Sequence, residues 1–293
     1  MTTYNTLDSF ISAIKAELTA RMNDSTAEEN AVCKANDLVL HGICIRKNGS
    51  DIAPTIYVDE YFNQQMNGRS LDSIIGEMIS ICENADTESV SKSAETVMDF
   101  DNIKDKLTIR LLDMEKNHEY LKAHPYKEIG GGLVITVDIS FNEDYLIAVT
   151  NEMAEAFDED KLFSTAIDNM MKLHPARLMS METALFGEGN GNALTDGTSH
   201  IEGMNTLMND RGFGATAIVY PMVAEKIREL YGTDFFILPS SQHELILLPD
   251  DGSFEANALA DTVRQANHTV VEPHDILSDG VFHYSHNGIR RVA

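Results

Sequence analysis

Basic residues are scarce: 22 Lys and Arg face 47 Asp and Glu in 293 residues, a net charge of −25. That deficit argues against direct binding to nucleic acid or to anionic lipid, since both require a basic surface. Cysteine is nearly missing. Cys33, Cys44 and Cys82 are odd in number and far apart, with no CxxC pair, which removes a zinc knuckle and a redox dithiol. Free thiols in a reducing cytosol are the expectation. No apolar run approaches the roughly 18 residues that span a bilayer. The opening MTTYNTLDSFISAIKAEL lacks a basic segment ahead of a continuous apolar core, so no secretory signal is predicted. The chain reads as cytoplasmic.

Several signatures of chemistry are missing too. The glycine-dense GEGNGNALTDGTSHIEG, residues 187–203, has neither GKS nor GKT, and no apolar strand leads into it. It is therefore neither a phosphate loop nor a dinucleotide fingerprint, and it reads as an exposed loop. HExxH would need histidine where Leu247 stands, the Asp-x-Asp-x-Asp-Gly calcium loop does not occur, and there is no GxSxG elbow. His283 and His286 lie three apart on a predicted strand and face opposite sides, so they do not share an ion. No metal and no cofactor are expected.

What is present is a soluble balance, 43% hydrophobic and 24% charged, arranged in short periodic segments. Apolar spacing predicts a helix from Thr6 or Asp8 to about Met22, then a break at NDSTAEEN. Two strands follow in LVLHGICIRKNGSDIAPTIYV, turning at Asn48-Gly49, with Pro54 at an edge or a strand start. DEYFNQQMNG and SLDSIIGEMISICEN read as helices, with Gly68 as a stop and Ser70 as an N-cap. NADTESVSKSAETVMD is polar and unpatterned, and a helix is predicted from Ile103 to Ala123, ending before Pro125. His118 and His124 flank its end.

The remainder repeats a plan. GGLVITVDISFNEDYLIAVT gives two strands turning at Asn142-Glu143, and DEDKLFSTAIDNMMKL gives a helix. Later, DFFILPSSQHELILLPD gives two strands and EANALADTVRQAN a helix, with Asn169 and Asn267 at corresponding points. GATAIVYPMVAEKIRELYG reads as a strand and then a helix beginning near Pro221, and GVFHYSHNGIRRV as a hairpin through Asn287-Gly288. The fold class is α+β: antiparallel sheets built from hairpins, covered by helices. The organisation read from this is an N-terminal α+β region 1–86, a linker 87–99 and a C-terminal region 100–293. The last holds two strand-strand-helix units, 100–186 and 204–293, joined by the glycine-rich loop. The 14 methionines, four of them clustered in DNMMKLHPARLMSMETALF, read as core packing along helices.

Pro239 to Gln242 separate two strands, Phe235–Leu238 and His243–Leu248, as a hairpin turn of four residues whose hydroxyls bond locally. Strand alternation points His243 and Glu244 apart, so they form no dyad. If the protein is a hydrolase or transferase, its pocket would gather Ser240, Ser241, His243 and Glu244 with the distant His283. The other reading is binding. Residues 128–160 and 229–263 contain no Lys or Arg, and Asp158, Glu159, Asp160, Asp250 and Asp251 are the candidates to meet a basic protein. Asp158 or Asp160 also suits a helix start, and Asp250-Asp251-Gly252 a turn.

YPMVAEKIRELYGTDFFILPSSQHELILLPDDG, with VRQANHTVVEPHDILSDGVFHYS, resembles a bacterial family of unknown function common in anaerobic Firmicutes and often near mobile elements. LHGICIRKNGSDIAPTIYVDEYF, GRSLDSIIGEMI and KDKLTIRLLDMEKNHEYLKAHPY resemble its earlier regions, and ILPSSxHExxLLPDDG is its signature. The glycine-rich insert departs from the pattern. The resemblance implies an intracellular α+β protein and supplies no catalytic residues. The reading is an acidic protein that binds another protein, as an inhibitor or regulator linked to mobile elements; the alternative is the hydrolase or transferase. The partner and the oligomeric state are left open.

Overall fold

The computed structural model describes residues 4–48, 55–84, 97–141, 146–186, 192–193, 200–210, 212–239 and 241–293. Gly49 of the Asn48-Gly49 turn, the turn at Asn142-Glu143, Pro54, Ser240, and most of the 87–99 segment and of the glycine-rich loop lie outside them. The chain forms two compact units, Met1–Lys34 with Leu38–Met98, and Ala35–Asp37 with Asp99–Ala293.

In the first unit, Thr6 caps α1 (Leu7–Arg21) by accepting the Ser9 N–H at 3.3 Å. Its spacing buries Phe10, Ile11, Ile14 and Leu18. β1 (Ser25–Lys34), β2 (Leu38–Lys47) and β3 (Thr55–Tyr57) form an antiparallel sheet in that order. β1 occupies the stretch predicted to be a break. It is an edge strand of mostly exposed polar residues, so no apolar alternation announces it; its ten-residue ladder with β2 holds it. α2 (Asp59–Met66) ends ahead of Gly68 at φ +98°. The Ser70 hydroxyl accepts the Ser73 N–H at 3.2 Å to open α3 (Leu71–Asn84). Ile74, Ile75, Met78 and Cys82 of α3 join α1, Ile43, Ile45 and Val58 in one core.

The second unit opens with α4 (Phe100–Ile103) and β4 (Leu107–Asp113). The helix predicted over 103–123 is replaced by this strand and by 3-10 turns at Met114–Lys116 and Tyr120–Lys122. LTIRLLD has a period of two at its start, with Leu107, Ile109 and Leu111 on one face and Thr108 and Arg110 on the other; pairing along its whole length with β6 decides in favour of the strand. β5 (Tyr126–Gly130), β6 (Leu133–Ser140) and β7 (Leu146–Ala148) complete a four-stranded antiparallel sheet. β6 meets β4 along one edge; β5 and β7 share the other, at opposite ends.

Both faces of β6 are buried. One carries Leu133, Ile135, Val137 and Ile139; the other carries Val134, Thr136, Asp138 and Ser140. α5 (Asn151–Glu155) leads to α6 (Glu159–Leu173), whose Phe163 lies under Lys127 Nζ at 5.1 Å. Lys127 is the cross-strand partner of Ile135, so α6 covers the apolar face.

β8 (Arg177–Ser180), α7 (Met181–Phe186), β9 (Asn192–Ala193) and β10 (Asn205–Met208) follow. The methionine-rich run is therefore not continuous helix: Pro175 ends α6 and Leu178 and Met179 belong to a strand. GATAIV, predicted to be a strand, is a 3-10 stretch, Gly214–Val219, with Gly214 through Ile218 all buried. A fully buried short apolar run does not distinguish helix from strand by period. α8 (Val223–Tyr231), β11 (Phe235–Leu238), β12 (Leu245–Pro249), α9 (Ala256–Thr269), β13 (Phe282–Ser285) and β14 (Gly288–Arg291) close the chain. The second sheet runs β14-β13-β11-β12-β10-β8-β9, with every pair antiparallel.

The fold is α+β. Two strands are followed by two helices in β6-β7-α5-α6 and by one in β11-β12-α9. Asn169 Nδ2 donates to the carbonyls of Lys104 and Leu107 at 2.6 and 3.0 Å. Asn267 Nδ2 donates to the Ser278 carbonyl and to Asp279 at 2.9 and 2.8 Å. Among the described residues no helix is long and apolar enough to cross a membrane.

Candidate functional site

The signature segment folds back on itself, with Leu238 opposite Ile246 and Phe235 opposite Pro249. β12 begins at Leu245, so the connection spans residues 239–244 and is longer than the predicted four-residue turn. Extra bonds to distant chain segments hold this corner. Gln242 donates its backbone N–H to the Asp275 carbonyl at 2.9 Å and its side-chain amide to the His274 carbonyl at 2.8 Å. Its own carbonyl accepts the Ala215 N–H at 3.2 Å. The Ser241 hydroxyl oxygen accepts the His243 backbone N–H at 3.0 Å, a local turn bond. A Cβ on Gly214 would fall 2.1 Å from the His243 carbonyl oxygen, so only glycine lets the 3-10 stretch press against the corner.

His243 and Glu244 precede the strand rather than alternate on it. The exposed His243 ring sets Nε2 3.1 Å from Asp275 Oδ1, and Phe213 stacks on it at 6.4 Å between centroids. Ser240 lies outside the described residues. His283 is not at this corner. It sits on β13 opposite Phe236, 4% exposed, with Nε2 3.0 Å from Asp250 Oδ2. His286 follows the strand and is exposed. His118 is exposed, and His124 places Nδ1 2.8 Å from the Val149 carbonyl; neither ends a helix, since that helix is replaced.

Asp158, Asp160 and Asp251 have local partners. Asp158 caps α6, accepting the Lys161 N–H at 2.8 Å, and Glu159 opens the helix, exposed. Asp160 pairs with Lys127, whose hydrogen bond holds its carboxyl below the usual range. Asp251 accepts the Ser253 N–H at 2.9 Å, and the bonds from Ser253 lower its carboxyl as well.

Sequence reasoning missed a small pocket of about 60 Å³, lined by Thr108, Ser140, Leu146, Met170, His174, Gly212 and Phe213. His174 closes α6 and places Nδ1 3.0 Å from Asp210 Oδ1. The carboxylate accepts, so Nδ1 carries the proton in this pair. The Tyr220 hydroxyl, its pKa raised by burial, donates to the His174 carbonyl at 3.1 Å. Phe213 stands at φ +63°, a left-handed conformation that costs a non-glycine residue energy. Its ring lies 4.5 Å from the Arg110 guanidinium. The glycines on either side of Phe213 were the one available signal, and they do not say that the phenylalanine itself takes the positive φ.

Comparison with curated proteins and with solved structures finds no match. The family of unknown function DUF5688 matches residues 7–286, nearly the whole chain, and the protein belongs to that family.

Proposed function

We propose that the protein works by binding another protein with a basic surface, as an inhibitor or regulator in the cytoplasm. The observation that carries this reading is the surplus of 25 negative charges, which favours and steers a positively charged partner. Asp158 to Asp160 and Asp250 to Asp251 are the acids assigned to that encounter. The Phe213 pocket, at about 60 Å³, suits a single anchoring side chain better than a free metabolite, whose pockets run to roughly 300 Å³ or more. The test is capture from the native cell at low salt, followed by cross-linking. Cross-links from a basic protein to residues near 158–160 or 250–251 support the reading; a neutral partner, or cross-links confined elsewhere, contradict it.

The alternative, a hydrolase or transferase at the corner, draws on the His243–Asp275 pair, the arrangement that orients a general base. Against it, the Ser241 hydroxyl is tied to the backbone of its own turn. A hydrolytic activity abolished by both Ser241→Ala and His243→Ala would favour this alternative over the binding reading.

A further inference from the structure

β1 ends the first unit's sheet, and among the described residues no strand pairs with its outer edge. Asn48 donates its backbone N–H to the Asp24 carbonyl at 2.7 Å, so these two continue the β1–β2 register as a hydrogen-bonded pair. Such pairs alternate along an antiparallel ladder. The even-numbered residues of β1 therefore bond to β2, and Ala27, Glu29 and Ala31 turn their N–H and C=O groups outward. Among the described residues no hydrogen bond reaches those outward groups. Glu28, Glu29, Asn30 and Ala31 are exposed in succession, and so is Lys34. An open row of this kind is a template for another strand.

Charges on an edge usually ward off such pairing, so their order decides what fits. The segment runs Glu28-Glu29-Asn30-Ala31-Val32-Cys33-Lys34, acidic at one end and basic at the other. Against a second copy of itself, outward residues must face outward residues, so the two-fold axis passes through a residue. An axis at Glu28 or Glu29 would set two carboxylates opposite each other. An axis at Ala31 sets Glu28 of each copy opposite Lys34 of the other, and the two small alanines meet at the centre. Lys34 Nζ lies 5.3 Å over the Tyr57 ring, an exposed contact that a facing carboxylate can replace. We infer that the protein pairs with a second copy of itself through β1, antiparallel over residues 28–34 about Ala31, joining their two three-stranded sheets into one. This pairing is independent of the proposed basic partner. Two chains of net charge −25 repel, but at about 150 mM salt the repulsion is screened beyond about 8 Å and the facing strands decide.

The test is sedimentation equilibrium of the full chain across the micromolar range at that salt concentration. The expected result is a reversible dimer. Ala31→Pro removes an outward N–H and spares the β1–β2 ladder, so it should weaken the dimer at least about tenfold. Glu28→Lys alone, or Lys34→Glu alone, sets like charges opposite at both ends and should weaken it by about the same factor. Both reversals together restore the opposite pairs and should return the affinity to within about twofold of the parent. The reversals change exposed side chains, so they decide the matter even if Ala31→Pro does not fold. A monomer at every concentration, a dimer indifferent to the single reversals, or a double reversal as weak as the singles would each overturn the proposal.

Discussion

The Ser241 hydroxyl oxygen accepts the backbone N–H of His243 at 3.0 Å, so the most serine- and histidine-rich point of the signature closes a chain corner. Around it, Gln242 reaches two residues of the 274–275 segment and one of the 3-10 stretch. The corner therefore ties three parts of the second unit together.

Truncating Gln242, 4% exposed, should therefore cost more than truncating Ser241. Gln242→Ala removes a buried tether to His274 and leaves a void, for about 2–3 kcal/mol; Ser241→Ala removes one turn bond, for about 1 kcal/mol. Denaturant midpoints of the two variants check the order. Equal midpoints would mean that the corner bears no such tension.

Two glycines should respond with opposite signs. Gly214→Ala forces a methyl to 2.1 Å from a backbone oxygen and should destabilise by about 3 kcal/mol. Gly76, exposed on α3 with nothing within 4 Å of an added Cβ, should gain about 1 kcal/mol as alanine. Thermal unfolding of both variants measures the contrast.

Legibility in the sequence followed local signals. Thr6 and Ser70 bond their hydroxyls to N–H groups three residues on and Gly68 takes a positive φ, so caps and stops could be read directly; the last hairpin could too, although it turns at His286-Asn287, one residue before the predicted Asn287-Gly288. β1 could not, because an exposed edge strand has no apolar period. β4 was hidden behind charged neighbours that mimic helix composition, and its partner β6 lies about 20 residues further on, beyond any local window. At the site, Ser241 and His243 were visible as letters, yet their bonding depends on Asp275 and Gly214, which pattern does not connect to them. Phe213 meets Arg110, and His174 meets Asp210, only in three dimensions.

Asp113 anchors the C-terminal strand. Its carboxylate, 2% exposed, accepts the Ser278 hydroxyl, Arg291 Nη2 at 2.7 Å and the Glu115 N–H at 3.0 Å. Asp113→Ala strands buried donors and should cost about 3–5 kcal/mol. Asp160→Ala, which removes a fully exposed partner of Lys127, should leave the unfolding midpoint nearly unchanged. Parallel urea titrations test both; a small effect at Asp113 would contradict the arrangement around it.

Tyr231 should make the fold sensitive to alkali. Burial raises its phenol to about 12, although a bond from Asn205 partly opposes this. The folded state holds the proton more tightly than the unfolded chain, whose phenols ionise near 10. This contribution is therefore intact below about pH 10 and is lost as pH rises towards about 12. Stability measured from pH 9 to 12 should fall across that window in the parent and fall less in Tyr231→Phe. Equal slopes would contradict the assignment.

The most direct test of the protein's proposed role is the salt dependence of its affinity for the captured partner. An acidic protein recognising a basic surface should lose binding steeply between about 50 and 500 mM salt, and neutralising Asp158, Glu159, Asp250 and Asp251 together should flatten that dependence. An affinity that ignores both salt and those four substitutions would contradict it.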